Sequence, residues 1–280
     1  MGNKFSALIF KNPNIQHSIA ENGFVVIDAN LNRKVNQLHA YISNHFKFPS
    51  SNFYYSLLEN SFEQNKRLQN IFKEILSDFY ETYFSDYRTL TESFLFKPEN
   101  TNEELLLHQD WCYTDEKNHI AYNIWIPLQD VTQTNGAMFF LPGSHLWFNN
   151  LRSGSLLTGR ISTLDLPNHQ IQSVTLKKGQ AIIFHPAIFH GSYPNFSNQK
   201  RLIATATLFQ KNAPFLYYNQ SKTKNEVSVF RLEDDVFLKE LPTLASGGKP
   251  EGIETEQLNY SHHIITANEL NSKLASFTGK

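Results

Sequence analysis

Between residues 93 and 209 the chain runs as a series of short strand-like segments separated by turn residues. That series restricts the fold more than any other feature. Ser93-Phe94-Leu95-Phe96-Lys97 is stopped by Pro98, which cannot donate to a ladder. Residues 103–108, 120–128, 137–141, 171–176, 180–184, 188–190 and 201–209 follow as further strands. The segment 120–128 alternates, with Ile120, Tyr122, Ile124 and Ile126 on one side and Asn123 and Trp125 on the other. Asn135-Gly136, Pro142-Gly143 and Lys178-Gly179 supply turns. Strands of this number and spacing predict a mainly β domain with flanking α-helices, a double-sheet jelly roll or barrel.

The flanks read differently. Residues 14–22 form a short helix, and Gly23-Phe24-Val25-Val26-Ile27 a strand. Residues 33–45 form a helix, with Asn30 or Asn32 as its cap. Across residues 62–83, Leu68, Ile71, Phe72, Ile75, Leu76 and Phe79 recur at helical spacing and form a face to pack on a sheet. Residues 49–61 show no period, and residues 145–170 form a long segment of weak periodicity. Beyond Gln210 the signal fades: residues 214–218 are aromatic, 227–231 suit one more strand, 245–250 read as a flexible link, and the polar tail covers the surface. The expected organisation is one domain over 1–280, with helices in 1–90 packed on a jelly-roll core of 91–210 and an extension over 211–280.

Composition narrows the function. A net charge of −1 with no basic stripe argues against nucleic acid as partner and leaves a small-molecule substrate, acted on by a monomer or homodimer. The single cysteine, Cys112, excludes an internal disulfide framework and suits a reducing, cytoplasmic setting. It reads as a packed thiol. No apolar run is long enough to span a bilayer. Met1-Gly2-Asn3-Lys4-Phe5-Ser6 fits the N-myristoylation pattern, against the plain alternative of an ordinary N-terminus.

Chemistry concentrates at His108-Gln109-Asp110. In an extended segment residues 108 and 110 point to one side, so an imidazole and a carboxylate can meet one ion. A third ligand must come from elsewhere, and His190 is the best candidate. Two imidazoles and one carboxylate leave open coordination positions, as in non-haem Fe(II) oxygenases.

His108-Gln109-Asp110, Asn123-Ile124-Trp125-Ile126-Pro127-Leu128, Asn135-Gly136-Ala137, Leu141-Pro142-Gly143-Ser144-His145 and the run from His190-Gly191-Ser192 through Asn195 to Arg201 occur in order. This set resembles the phytanoyl-CoA dioxygenase family of Fe(II)- and 2-oxoglutarate-dependent oxygenases. The resemblance runs from about residue 21 to about residue 250. It implies a double-stranded β-helix (jelly roll, cupin-like) with Fe(II) on His108, Asp110 and His190. It also implies 2-oxoglutarate and O2 as cosubstrates, and hydroxylation or another oxidation of a small molecule with release of succinate and CO2. Arg201 opens an apolar strand and needs a partner, since burying an unpaired guanidinium is costly. The distal carboxylate of 2-oxoglutarate would supply one. Related halogenases carry Ala or Gly in place of the carboxylate, so Asp110 points to oxidation.

Further candidates are Asn123 and Trp125 in the cofactor pocket and Lys97 as a carboxylate partner, against a solvated strand-end lysine. Trp111 and Tyr113 are candidates for substrate contact, against core packing. Arg152 and Arg160 could bind an anionic substrate, against ordinary surface charges. The remaining histidines, His145 and His185 among them, are not expected to be ligands. Two other readings compete: a catalytically silent jelly-roll binding protein, and a cupin-like metalloenzyme without a cosubstrate.

Overall fold

The alternation read at 120–128 is realised in β5 (Ala121–Pro127). Tyr122, Ile124 and Ile126 join the core beneath the N-terminal helices, while Trp125 joins the core between two sheets. The computed structural model describes residues 9–49, 52–156, 170–221, 225–261, 263 and 265–277.

The strands β3 (Tyr87–Lys97), β4 (Leu105–His108), β6 (Met138–Phe140), β7 (Gln172–Val174), β8 (Gln180–Phe184), β9 (His190–Ser192) and β10 (Arg201–Gln210) complete an eight-stranded set with β5. Their order is β8-β5-β10-β3 in one sheet and β4-β9-β6-β7 in the other, and each pairing is antiparallel. Strands consecutive in the chain mostly change sheet, which is the winding of a jelly roll. β1 (Phe24–Asp28) and β2 (Tyr54–Tyr55) extend the first sheet at its two edges. Phe24, Trp125, Met138, Phe140, Ile182, Phe184 and Ile203 fill the space between the sheets.

The outer face of the larger sheet is covered by helices. Val35, Leu38 and Ile42 of α2 (Asn32–His45) and Leu68, Phe72, Leu76 and Phe79 of α4 (Phe62–Tyr83) pack on Phe94, Phe96, Ile183 and Leu208. α1 (Pro13–Asn22) is capped by Asn12, whose side chain accepts from the Asn14 N–H. α2 differs from expectation. Neither Asn30 nor Asn32 caps it; Leu31 holds the N-cap position without a side-chain bond. Burial of Leu31 and its N–H bond to the Gly179 carbonyl anchor the helix start instead.

Residues 49–61, unreadable by period, contain β2 and the single turn α3 (Ser56–Glu59). The C-terminal region is more ordered than its sequence suggests. β11 (Leu216–Gln220), β12 (Glu226–Arg231) and β13 (Ile253–Asn259) form a separate three-stranded sheet. α5 (Asp234–Ala245) packs Phe237, Leu238, Leu241 and Leu244 against Phe209, Phe215 and Phe230. The expected flexible link is a hydrogen-bonded helix end. Gly248 N–H reaches the Thr243 carbonyl, Gly247 N–H reaches Leu244, and the Asn219 amide holds both glycine carbonyls. α6 (Ala267–Phe277) lays Leu270 and Leu274 on Leu107, Phe139 and Phe189 of the smaller sheet. Among the described residues no helix is long and apolar enough to cross a membrane.

Candidate metal centre

His108 closes β4 and His190 opens β9, and the two residues are register partners across that pair of strands. Their ring centroids lie 4.3 Å apart. Asp110 falls beyond the end of β4, so strand periodicity alone does not aim it. Its N–H bonds the Pro186 carbonyl at 2.8 Å, and the Gln109 amide bonds the Ala187 carbonyl at 2.6 Å. These two bonds clip the H-x-D segment to the turn that leads into β9.

The ligand atoms of His108, Asp110 and His190 all lie within 4.8 Å of one another, the one such group among the described residues. Nδ1 of His108 lies 2.8 Å from the Leu106 carbonyl, and Nδ1 of His190 lies 3.0 Å from the Ile188 carbonyl. A carbonyl only accepts, so each Nδ1 carries the proton and each Nε2 presents a lone pair. Both Nε2 atoms stand 3.5 Å from an Asp110 carboxylate oxygen. Electron-rich atoms therefore face one another with no proton between them, an arrangement that a cation satisfies. Burial pulls the His190 imidazole down to about 4 despite Asp110, so the ring is neutral near pH 7. Burial of Asp110 opposes its charge, but the imidazoles of His190 and His108 and the Asn123 amide outweigh it and hold the carboxyl down to about 2.

Arg201 opens β10, and 1 % of its surface is exposed. Its Nη1 donates to the Gly136 carbonyl, and its guanidinium lies 5.6 Å from the Trp125 ring centroid. Its Nε has no hydrogen-bond partner, and no carboxylate pairs with it among the described residues. Burial pulls it down to about 9, which leaves it charged at neutral pH. A buried, unpaired guanidinium opening on a cavity has the charge and free donor that would suit an anion of the carboxylate type. The donor set and this orphaned cation together fit a divalent metal with a carboxylate-bearing cosubstrate.

One cavity of about 290 Å³ joins these parts, with His108, Asp110, His190, Arg201, Asn123 and Trp125 in its lining. Asn123 Nδ2 donates to Asp110 Oδ2 at 2.6 Å, and its oxygen accepts from Thr207 at 3.0 Å. Thr207 meets Thr91 at 2.8 Å. Thr91 has φ +60 at the irregularity where β3 loses register with β10. A β-branched residue in that region is strained by roughly 1–3 kcal/mol, and the strain sits at the back of the metal-ligand support. Asn123 thus touches a candidate metal ligand, in addition to lining the pocket as expected.

Trp111 and Tyr113 also line the cavity. Lys97 does not, and it is no solvated lysine either. It is 1 % exposed, and its three hydrogens go to the Glu103 carbonyl, the Ser192 hydroxyl and the Tyr193 carbonyl. Burial, then the charge of Arg201 on the neighbouring strand, pull it down to about 7. Arg152 is likewise no surface charge and no free anion receptor. It is buried, pairs with Glu116 at 2.6 Å and donates to the Asp110 and Asn150 carbonyls. Arg160 and the N-terminal Gly2 lie outside the described residues. His145 directs Nε2 to the Ala20 carbonyl, and His185 accepts from the Ala187 N–H, so neither faces the cavity's triad. Cys112 is buried, and burial pushes its thiol well up.

Sequence reasoning missed the far wall of the cavity: Phe53, Tyr55 and Leu58 before the jelly roll, and Phe237, Leu241 and Ala245 after it. A helical apolar spacing in 237–244 was the available signal.

The sequence profile of the phytanoyl-CoA dioxygenase (PhyH) family matches residues 27–203. A phytanoyl-CoA dioxygenase of Arabidopsis thaliana is 29 % identical over 139 residues, which cover 43 % of this chain and 48 % of the plant protein. The chain spans about half the length of the curated relatives it matches most strongly. In fold it is similar to the non-haem monooxygenase ThoJ in its apo form, at TM-score 0.53 and 18 % identity over 94 % of this chain and 95 % of that one. It is also similar to HygX of Streptomyces hygroscopicus, solved with nickel and 2-oxoglutarate bound, at TM-score 0.51 and 16 % identity over 72 % and 87 %. The match over 27–203 takes in the H-x-D segment, the second histidine and the buried arginine, and the chain belongs to the phytanoyl-CoA dioxygenase family.

Proposed function

We propose that this protein is an Fe(II)- and 2-oxoglutarate-dependent oxygenase that hydroxylates, or otherwise oxidises, a small molecule. The observation that carries the reading is the pairing, in one cavity, of a His-Asp-His donor set with a buried guanidinium that has no protein carboxylate.

His108, Asp110 and His190 would hold the iron. Arg201 would take the distal carboxylate of 2-oxoglutarate, and Trp125 packs on the guanidinium to keep that end dry. With O2, the bound iron and cosubstrate supply oxidising power through decarboxylation of 2-oxoglutarate to succinate and CO2. The chain's own contribution is position and exclusion of water. Asn123 fixes the Asp110 carboxylate, the Nδ1–H bonds orient both imidazoles, and the aromatic wall limits solvent access. Because a carboxylate occupies position 110, it would give a bound metal a third protein ligand, which favours oxidation over halide transfer.

The test is anaerobic titration with Fe(II) and then 2-oxoglutarate, followed by succinate measurement on admitting O2. Cosubstrate-dependent absorbance and succinate above a metal-free control are expected. Metal binding without 2-oxoglutarate binding would point to a cupin-like metalloenzyme. Failure of both would point to a silent binding protein.

A further inference from the structure

The cavity continues past the metal triad into a chamber that the proposed chemistry does not use. Its walls are Phe53, Tyr55, Trp111, Tyr113, Phe237 and Leu241. These come from three separated parts of the chain, including α5 of the C-terminal region. Trp111 and Tyr113 lie 6.3 Å apart between ring centroids, and Tyr113 meets Phe237 edge-on at 6.0 Å. The rings thus form an aromatic corner beside Asp110.

The chamber's charge is as informative as its shape. Apart from the triad and Arg201, no Lys, Arg, Asp or Glu lines the cavity among the described residues. The neighbouring charges are already engaged elsewhere. Asp234 of α5 pairs with Arg88 at 2.9 Å and Asp235 with Lys66 at 2.5 Å. Arg152 is held by Glu116, and Lys97 by three neutral oxygens. Burial pushes the Tyr55 and Tyr113 phenols up, so both stay neutral. The loaded centre offers no net charge either. Two charges of the ion and one of Arg201 are matched by Asp110 and the two carboxylates of 2-oxoglutarate. Among the described residues no further cation lines the chamber to pair with a second anion, and burying an unpaired anion is strongly unfavourable.

Two polar atoms remain. The Trp111 indole N–H and the Tyr113 hydroxyl belong to side chains that line the cavity. They suit neutral oxygen groups such as a hydroxyl or carbonyl.

We infer that the substrate is a compact, neutral, mainly apolar molecule bearing one or two hydroxyl or carbonyl groups, taken as the free compound and not as a coenzyme A thioester or carboxylate. This rests on the proposed function, since it assigns the space next to that metal centre. The aromatic corner grips the hydrocarbon face by area and ring contact. The indole N–H and phenol orient its oxygen.

The test uses the full chain loaded anaerobically with Ni(II) and 2-oxoglutarate, with calorimetry to establish that both bind. Three probes sharing one ring system are then titrated by naphthyl fluorescence anisotropy: 2-naphthylmethanol, 2-naphthoate and 2-naphthoyl-coenzyme A. The alcohol is expected to bind at least tenfold more tightly than either anion, and Trp111→Ala to weaken it at least fivefold. Leu241→Lys, which adds a cation to the wall, is expected to shift the preference toward 2-naphthoate. Equal or tighter binding of either anion by the wild-type protein overturns the inference, as does failure of all three probes on protein that holds both Ni(II) and 2-oxoglutarate. The wild-type comparison decides the matter if the lysine variant does not fold. Failure of Ni(II) or 2-oxoglutarate to bind refutes the proposed function itself, and this inference with it.

Discussion

The amide of Asn123 bridges Asp110 and Thr207: its nitrogen lies 2.6 Å from Asp110 Oδ2 and its oxygen accepts from Thr207 Oγ1 at 3.0 Å. A hydrogen bond to a charged carboxylate contributes about 1.5–3 kcal/mol. Asn123→Ala is therefore expected to weaken Fe(II) binding roughly 10- to 100-fold, in the range of other lost outer-shell partners. Thr207→Val, which removes only the remote support, should have a smaller effect of the same sign. Anaerobic metal titration of both variants checks the order, and equal affinities in all three proteins would remove Asn123 from the centre.

Arg201 makes a paired prediction. Loss of a buried charge partner costs about 2–5 kcal/mol, so Arg201→Gln should raise the 2-oxoglutarate Kd roughly 30-fold or more while leaving Fe(II) affinity near that of wild type. The ligand-free variant should be at least as stable as wild type, because the unpaired buried cation is gone. Thermal unfolding with and without 2-oxoglutarate reads both effects, and a large loss of ligand-free stability would argue that Arg201 is structural.

Gly136 carries the arginine's acceptor. Its φ is +91, and a Cβ there would stand 3.1 Å from Arg201 Nη1 and 3.1 Å from the Tyr193 carbonyl. Gly136→Ala is expected to raise the 2-oxoglutarate KM severalfold through displacement of the guanidinium, with metal affinity little changed. Steady-state kinetics in saturating Fe(II) tests this, and an unchanged KM would contradict it.

The sequence pattern reached as far as local periodicity and residue chemistry allow. Helix 62–83 coincides with α4, and β8 with residues 180–184, because each carries a clean apolar period. Four residues from three segments, His108 and Asp110, His190, and Arg201, line one cavity. Other features depended on contacts that no spacing encodes. Lys97 and Arg152 look like surface charges until neighbouring carbonyls and Glu116 enclose them. Tyr55 and Phe237 line the same cavity from segments far apart in the chain. The bulge at Thr91 follows from strand registration, and a β-branched residue there gives no sign of a left-handed backbone.

Glu92 predicts a pH dependence away from the centre. It is fully buried, neither carboxylate oxygen has a hydrogen bond, and Lys73 Nζ is 3.8 Å away. Burial raises its carboxyl above the usual range, with Lys73 opposing only in part. The folded state then holds its proton more tightly than the unfolded chain. The resulting stability is fully present below the unfolded value near 4.3 and is lost as pH rises through the folded one. Glu92→Gln is expected to raise Tm more at pH 8 than at pH 5. A variant whose gain does not grow with pH would refute a raised carboxyl.

The clips from Gln109 and Asp110 to residues 186 and 187 have an outcome for turnover of the protein itself. Because protein hydrogen bonds hold the H-x-D segment to residues 186 and 187, the metal-free chain is expected to keep the shape of the loaded one. Stripping the iron with a chelator should leave a protein that reloads within the mixing time, with no slow refolding phase. A cell could then lend this scaffold its metal repeatedly, as supply fluctuates, without making the chain anew.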